Sequence, residues 1–325
     1  MTATLTKVNN VNFESSTPAP GTVLVTGATA GLGSRVVERL AARSDTEVIV
    51  GGRSVASVDG AIEAAHARTG SGKTTRSLPQ FVADLGDLTQ VDRAIDALAD
   101  APLRGIVANA GLTLGTKAVS AQGHELTFAV NVLAHQRIFD RLASSVVDGG
   151  RIVIVASGVH DPDNKLARRA GVPVPEWIDV ATTADPTTAV EDPRGRYSNS
   201  KFANILQAQS LQQRLRAEGR QIDVFAIDPG LMVDTDFARS YPAPLRVAFR
   251  AIGRAATPMF AGMRLSTTSA RHIERLLHDE SLAGEGFAYF DGDRRTPPAP
   301  EARRADFVEA FGPDIADLLA RTIAR

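Results

Sequence analysis

The sequence contains no cysteine, and its charges nearly cancel: 36 Lys and Arg stand against 37 Asp and Glu in 325 residues. The absence of thiols excludes disulfides, iron–sulfur clusters and a cysteine nucleophile, and the histidines lack the HxxxH and HExxH spacings of metal sites, so no metal is predicted. The net charge of -1 excludes the basic surface of proteins that bind nucleic acid or anionic membranes. No unbroken apolar run reaches the roughly 18 to 20 residues of a membrane helix. We therefore expect a cytoplasmic protein that binds neither nucleic acid nor membranes.

Short apolar strands alternate with amphipathic helices along most of the chain, which is typical of a parallel sheet covered on both faces. We predict a doubly wound α/β Rossmann fold, with a mostly parallel seven-stranded sheet in a single domain over residues 21–325. Residues 1–20 are polar and predict a disordered N-terminal tail. The predicted strands are 22–26, 48–50, 81–83, 105–108, 151–155, 222–227 and 286–289, and the predicted helices include 34–42, 121–142 and 197–218.

Two segments interrupt this alternation. Residues 159–196 form a long connection that carries several prolines and alternating charges. A connection of this length inside a compact domain is usually functional, so we expect this insert to cover the substrate. Residues 296–325 predict a helical C-terminal extension.

A glycine-rich turn follows the first predicted strand and opens the first predicted helix, in the sequence Thr-Gly-Ala-Thr-Ala-Gly-Leu-Gly that ends at Gly33. Gly27 permits a tight turn, Gly31 removes a Cβ that would block a ligand, and Gly33 lets the helix pack close to the strand. The helix N-terminus then offers backbone N–H groups to a pyrophosphate. This placement predicts a dinucleotide site. The residues that form it are Gly27, Thr29, Ala30, Gly31, Leu32 and Gly33.

The end of the second predicted strand indicates which dinucleotide is bound. The strand ends in Gly51-Gly52-Arg53-Ser54, with no carboxylate to accept hydrogen bonds from a ribose 2′-hydroxyl. A guanidinium group instead matches a 2′-phosphate. We therefore predict NADP(H) as the cofactor, with Arg53 and Ser54 in its binding site.

Three residues predict the chemistry. Tyr197 and Lys201 lie four residues apart on a predicted helix and so share one face, and Ser157 follows the fifth predicted strand. The ammonium of Lys201, together with an oxidised nicotinamide, favours the phenolate and is expected to lower the pKa of Tyr197 from its usual value of about 10. In the reductive direction Tyr197 would donate a proton to the developing alkoxide.

These residues, in this order, resemble the short-chain dehydrogenase/reductase family over residues 21–289. The resemblance implies that Ser157 binds the carbonyl oxygen, that Lys201 holds the nicotinamide ribose, and that Asn131 holds a relay water. Thr235 lies one position later than the family's phosphate-binding threonine. The resemblance also implies cofactor contacts at Asp84, Leu85, Asn109, Ala110, Gly111, Tyr197, Lys201, Pro229, Gly230, Val233 and Thr235.

Within that family, the chain resembles the retinol-dehydrogenase-like and protochlorophyllide-reductase-like branch, which implies a bulky apolar substrate. A ketoreductase of secondary metabolism is the first hypothesis. Reduction of a conjugated C=C bond and a non-catalytic NADP-sensing regulator are the alternatives. The helices around Asn131 and Tyr197 resemble the family's dimer interface, so a homodimer is expected unless the C-terminal extension caps it. Candidate walls of the substrate cleft are Trp177, Ile178, Met232, Phe237, Tyr241, Phe249, Met259 and Phe260.

Overall fold

The computed structural model describes residues 21–69, 80–98, 101–232, 234 and 262–324. The predicted N-terminal tail, the cofactor candidates Val233 and Thr235, and the cleft candidates from Phe237 to Phe260 lie outside the described residues. The predicted domain limits and the cytoplasmic location stay predictions. No helix in the described part of the chain combines the length and the apolar character needed to cross a bilayer.

The centre of the fold is a mostly parallel sheet with helices on both faces, as the alternation of strands and helices predicts. In the described chain its order is β10-β9-β6-β5-β4-β1-β2-β3, and all neighbours are parallel except β9 and β10. A separate parallel pair joins β7 and β8. The strands are β1 Thr22–Val25, β2 Glu47–Gly52, β3 Gln80–Val82, β4 Leu103–Ala108, β5 Val146–Val155, β6 Asp223–Asp228, β7 Leu231–Met232, β8 Met263–Arg264, β9 Ala288–Asp291 and β10 Arg294–Arg295.

The helices pack their apolar residues against the two faces of the sheet. Helices α1, α2 and α9 cover one face, α3, α5 and α8 cover the other, and α10 packs on α7 and α8. Each fully buried Val, Leu, Ile or Phe side chain contributes about 1.5–3 kcal/mol to this packing. The helices are α1 Gly31–Ala41, α2 Val55–Thr69, α3 Leu88–Asp96, α4 Leu126–Phe128, α5 Ala134–Leu142, α6 Lys165–Arg169, α7 Val180–Ala184, α8 Pro193–Ala217, α9 Ser266–His278 and α10 Ala305–Ile323, with a π segment at Ala129–Leu133.

Three predicted features were wrong in detail. Over the described residues the sheet has eight strands rather than seven, because the chain turns at Gly292, with φ at 65°, and adds the antiparallel strand β10. The helix expected to begin near residue 121 begins at Leu126, because Gly123 forms a turn at φ 86° and the carboxylate of Glu125 caps the backbone N–H of Phe128. Helix α8 begins four residues before Tyr197, where Asp192 caps it and Pro193 fits its first turn.

The insert and the C-terminal extension are tied to α8. The hydroxyl of Ser198 donates to the carbonyl of Pro173 at 2.9 Å, and the amide of Asn199 exchanges hydrogen bonds with the backbone of Glu176. Trp177 packs on Phe202 of α8 and on Phe311 of α10, with ring centroids 5.8 and 6.1 Å away. Trp177 is partly buried and packs against the core, and its role as a wall of the cleft stays a prediction.

Two other cleft candidates are also placed. Ile178 is 65% exposed, and Met232 packs partly buried against the core. These positions do not test their role in substrate binding, which stays a prediction.

Candidate active site

The glycine-rich turn between β1 and α1 has the backbone that a phosphate-binding loop needs. Gly27 and Gly31 adopt positive φ values of 60° and 56°, which residues with a Cβ rarely adopt. A Cβ on Gly27 would lie 2.7 Å from the Cα of Ala110, and one on Gly33 would lie 2.6 Å from Nδ2 of Asn109. Helix α1 has no side-chain cap at its N-terminus, so its first N–H groups are left for an anion. This turn fits a pyrophosphate.

Asn109 braces the glycine-rich turn from the end of β4. Its Nδ2 donates to the carbonyls of Thr26 and Gly27 at 2.9 and 3.1 Å. The hydroxyl of Thr26 accepts from the backbone N–H groups of Asn109 and Ala110, both at 3.0 Å. The side chain of Asn109 is thus engaged with the turn, which makes it a support of the predicted cofactor site.

Arg53 lies at the end of β2, beside the glycine-rich turn. A Cβ on Gly52 would meet the methyl group of Thr29 at 2.6 Å, so this strand end approaches the turn closely. Arg53 is exposed, and within the described ranges its guanidinium has no hydrogen-bond or ion-pair partner. Arg35, in contrast, binds both carboxylate oxygens of Glu38, at 2.9 and 2.8 Å.

Ser157, Tyr197 and Lys201 come together where β5 and α8 meet. Nζ of Lys201 donates to the carbonyl of Val155 at 2.7 Å, which fixes the ammonium at the end of β5. The same nitrogen lies 5.7 Å from the centre of the Tyr197 ring. Ser157 caps the short helical turn after β5 and forms a hydrogen bond with the Tyr197 hydroxyl.

Burial sets the protonation states of Tyr197 and Lys201. It raises the pKa of Tyr197 to about 12, the negative charge of Asp228 acts in the same direction, and the hydrogen bond with Ser157 opposes both. Burial lowers the pKa of Lys201 to about 8, against the effect of Asp228. In the protein alone, desolvation of the phenolate outweighs its stabilisation, and the lowering of the Tyr197 pKa expected beside an oxidised nicotinamide stays a prediction. Tyr197 is held in its protonated form.

Asp228 is a site residue that the sequence reasoning missed. It is buried at the end of β6, and its Oδ1 accepts from the backbone N–H of Gly230 at 2.9 Å. A Cβ on Gly158 would lie 2.6 Å from its Oδ2, and the backbone N–H of Gly158 also donates to this carboxyl. Asp228 thus joins the loops that follow β5 and β6. Its position directly before Pro229, at the carboxyl end of a parallel strand, was the available signal.

Asn131 lies in the π segment and is 1% exposed. Its side chain accepts from the backbone N–H of Leu112 at 2.8 Å, and its Nδ2 donates to the carbonyl of Leu112 at 3.1 Å and to the hydroxyl of Ser200 at 2.9 Å. The amide group therefore holds the loop after β4 against α8. A π segment inside a helix is frequent at functional sites.

The remaining candidates lie at the same edge of the sheet. The exposed carboxylate of Asp84 accepts from the backbone N–H of Gly86 at 2.8 Å, and Leu85 beside it is buried. A Cβ on Gly111 would lie 3.7 Å from Nζ of Lys201. The hydroxyl of Ser54 accepts from the backbone N–H of Ser57 at 3.3 Å. Among the described residues, no group of three or more His, Asp or Glu side chains is arranged to hold a metal ion.

The comparisons with known proteins agree with this architecture. Residues 21–165 match the model of the short chain dehydrogenase family. The chain is 32% identical to a polyprenol dehydrogenase of Mus musculus over 244 residues, which covers 73% of this chain and 67% of that protein. It is 27% identical to a chloroplastic protochlorophyllide reductase A of Triticum aestivum, covering 82% and 71%. The chain therefore belongs to the short-chain dehydrogenase/reductase family, and it is an oxidoreductase of that class.

Some relatives are much longer than the matched region. A WW domain-containing oxidoreductase of Drosophila melanogaster is 31% identical over 230 residues, which is 68% of this chain and 51% of that protein. Among solved structures, an uncharacterised protein from Mycobacterium paratuberculosis superposes with a TM-score of 0.64 at 24% identity, over 92% and 93% of the two chains. The angucycline C-6 ketoreductase LanV with bound NADP superposes with a TM-score of 0.55 at 22% identity, over 83% and 94%. These structures share the fold.

Proposed function

We propose that this chain is an NADPH-dependent carbonyl reductase that converts a bulky apolar ketone or aldehyde into an alcohol. The observation that carries the proposal is the grouping of Ser157, Tyr197 and Lys201 beside the glycine-rich turn. A non-catalytic NADP sensor has no use for these three side chains in one place.

The residues of the site divide the work of a reduction. A bound reduced nicotinamide supplies the hydride. Ser157 donates a hydrogen bond to the carbonyl oxygen of the substrate, and Tyr197 transfers its proton to that oxygen as negative charge develops there. Tyr197, whose pKa is raised to about 12, carries at neutral pH the proton that this step requires. Lys201 would hold the nicotinamide ribose and would stabilise the tyrosinate that remains until solvent returns the proton.

Arg53 supports NADPH over NADH. Arg53 is exposed, it follows a strand end that approaches the turn fitting the pyrophosphate, and no described carboxylate neutralises it. A carboxylate at this strand end would instead bind the ribose hydroxyls and repel a 2′-phosphate. Ser54, whose hydroxyl caps α2, would place the first N–H groups of that helix beside the same phosphate.

The preference for a bulky apolar substrate rests on the names of the relatives and on the insert. Two relatives are named for a polyprenol and for protochlorophyllide, and a structural neighbour is an angucycline ketoreductase. The insert is fixed to the first turns of α8 through Ser198 and Asn199, the two residues that follow Tyr197. This arrangement supports a role for the insert in covering the substrate.

The test is NADPH oxidation with a panel of aromatic, polycyclic and long-chain ketones and aldehydes, with identification of the product. Replacing Tyr197 with Phe is expected to lower kcat by about 10²–10⁴-fold while NADPH binding, followed by nicotinamide fluorescence, is retained. Replacing Arg53 with Asp is expected to shift the NADPH/NADH preference at least tenfold, or about 1.4 kcal/mol. Full turnover in the Tyr197→Phe variant would refute the mechanism. A saturated C–C product would instead identify a C=C reductase.

A further inference from the structure

A buried chain of side-chain amides leads away from Lys201, and the mechanism above does not use it. Lys201 donates to Oδ1 of Asn204 at 3.2 Å, and Nδ2 of Asn204 donates to Oε1 of Gln207 at 3.2 Å. Nε2 of Gln207 donates to Oε1 of Gln136 at 3.1 Å, and Nε2 of Gln136 donates to the exposed carboxylate of Asp140 at 2.8 Å. The three amide residues are between 0% and 8% exposed.

The π segment fixes the direction of two of these amides, those of Asn204 and Gln207. Nδ2 of Asn204 also donates to the main-chain carbonyl of Asn131 at 2.9 Å, and Nε2 of Gln207 donates to that of Val132 at 3.1 Å. If the Asn204 amide were rotated, its oxygen would face a carbonyl and its NH₂ group would face the Lys201 ammonium. Both contacts would be repulsive. The oxygen of Asn204 is therefore held toward Lys201.

The main-chain carbonyl of Asn131 accepts a second hydrogen bond, from His135. The hydroxyl of Thr26 accepts two backbone N–H groups and donates to Nε2 of His135 at 2.9 Å. Nδ1 of His135 then carries the hydrogen and donates to the carbonyl of Asn131 at 3.2 Å. That oxygen has two lone pairs, and His135 and Asn204 supply a donor for each.

We propose that Asn204 is a positioning residue that holds the Lys201 ammonium in its working place, and that the π-segment carbonyl of Asn131 and the amide of Gln207 hold Asn204. This inference rests on the proposed function for its importance in the reaction. An ammonium has three N–H donors, and here Val155 and Asn204 take two of them, which leaves the third for the cofactor side. Side-chain amides conduct protons poorly, so the chain stabilises the charge and does not carry it.

The charge state of Lys201 reports this contact directly. The titratable groups that face it are Tyr197 on its own helix, Asp228 at the end of β6 and His135 on α5. An amide oxygen at 3.2 Å favours the ammonium over the neutral amine. Removing that oxygen must therefore lower the pKa of Lys201, and a carboxylate in its place must raise it.

The experiment is an NMR titration of the full-length protein labelled with 13C-lysine, without substrate or cofactor. The chain has only five lysines, and the signal that disappears in the Lys201→Met variant identifies Lys201. The wild-type midpoint is expected near pH 8. Asn204→Leu is expected to move it down by roughly one pH unit, and Asn204→Asp to move it up by roughly one unit or more.

Opposite shifts at one position separate an electrostatic contact from general damage. The matched control is Asn199→Leu, which also removes a buried asparagine with two main-chain hydrogen bonds from α8, but not one near Lys201. Its Lys201 midpoint is expected to stay unchanged. Gln207→Met provides a second position and a smaller downward shift if Asn204→Leu does not fold. Unchanged midpoints, or shifts of both Asn204 variants in one direction, would overturn the proposal.

This titration does not depend on turnover, so its failure and that of the proposed function are distinguishable. In an active enzyme the alkaline limb of the kcat profile is expected to move with the Lys201 midpoint, down in Asn204→Leu and up in Asn204→Asp. Correct NMR shifts without any carbonyl reduction would retain the contact and reject the reductase.

Discussion

The buried ion pair between Arg196 and Glu125 allows a quantitative test of what holds the active-site helix. Nε of Arg196 lies 3.3 Å from Oε1 of Glu125, and both side chains are 2% exposed. Arg196 also donates to the carbonyls of Val190 and Glu191, at 3.0 and 2.6 Å. The other carboxylate oxygen of Glu125 caps the backbone N–H of Phe128 at 2.7 Å. The guanidinium of Arg196, the residue before Tyr197, thus links α8 to residues 190 and 191 of the insert and, through Glu125, to α4.

Replacing Arg196 with Met leaves the Glu125 charge buried without a partner. Such a loss costs about 3–5 kcal/mol in the free energy of unfolding, which equilibrium urea unfolding measures. The Glu125→Gln and Arg196→Met double variant is expected to be more stable than Arg196→Met alone, since no uncompensated charge remains. The two substitutions should therefore couple by about 0.5–3 kcal/mol.

Arg194→Met is the matched control, because it makes the same substitution two residues earlier on the same helix. Arg194 and Asp192 form an exposed pair at 3.3 Å, with side chains 56% and 37% exposed. Exposed pairs contribute about 0–1 kcal/mol. A loss below about 1 kcal/mol in Arg196→Met, or strict additivity in the double variant, would refute the reasoning.

Two further predictions concern the glycine-rich turn and the pH dependence of stability. Gly33→Ala is expected to lower the free energy of unfolding by about 1–3 kcal/mol and to weaken NADPH binding, because the new Cβ would overlap the carbonyl of Gly27 and the amide of Asn109. Gly60→Ala is the control: its Cβ would meet nothing within 4 Å, and it is expected to stabilise α2 slightly. Burial lowers the pKa of His135 from 6.5 to about 4. On acidification the unfolded chain protonates His135 before the folded protein does. The stability that neutral His135 contributes is therefore present above pH 6.5 and is lost as the pH falls toward 4. Between pH 6.5 and 5 this group accounts for a loss of about 1.6 kcal/mol, so the stability of His135→Gln is expected to fall by about that much less than that of the wild type, as urea unfolding at the two pH values would show.

The sequence determined the features that depend on local pattern. The alternation of apolar strands and amphipathic helices predicted the doubly wound sheet, and the order of glycine turn, Ser157, Tyr197 and Lys201 predicted the family. Spacing of four residues already places Tyr197 and Lys201 on one face of a helix. Local signals also existed for two errors, since Asp192 and Pro193 mark the true start of α8 and Gly123 marks a turn.

Only the tertiary structure decided the chemistry around these residues. Asp228 and Lys201 are close because β5, β6 and α8 meet at one edge of the sheet, and no periodicity in the sequence reports that meeting. The pKa of Tyr197 in the protein alone depends on how much water the folded chain excludes, which no local pattern reports. Asn204 and Lys201 are neighbours on one helix, but the contact of Asn204 with the carbonyl of Asn131 joins elements about 70 residues apart. Local periodicity depends on neighbouring residues, whereas burial and long-range polar contacts arise only when distant segments pack.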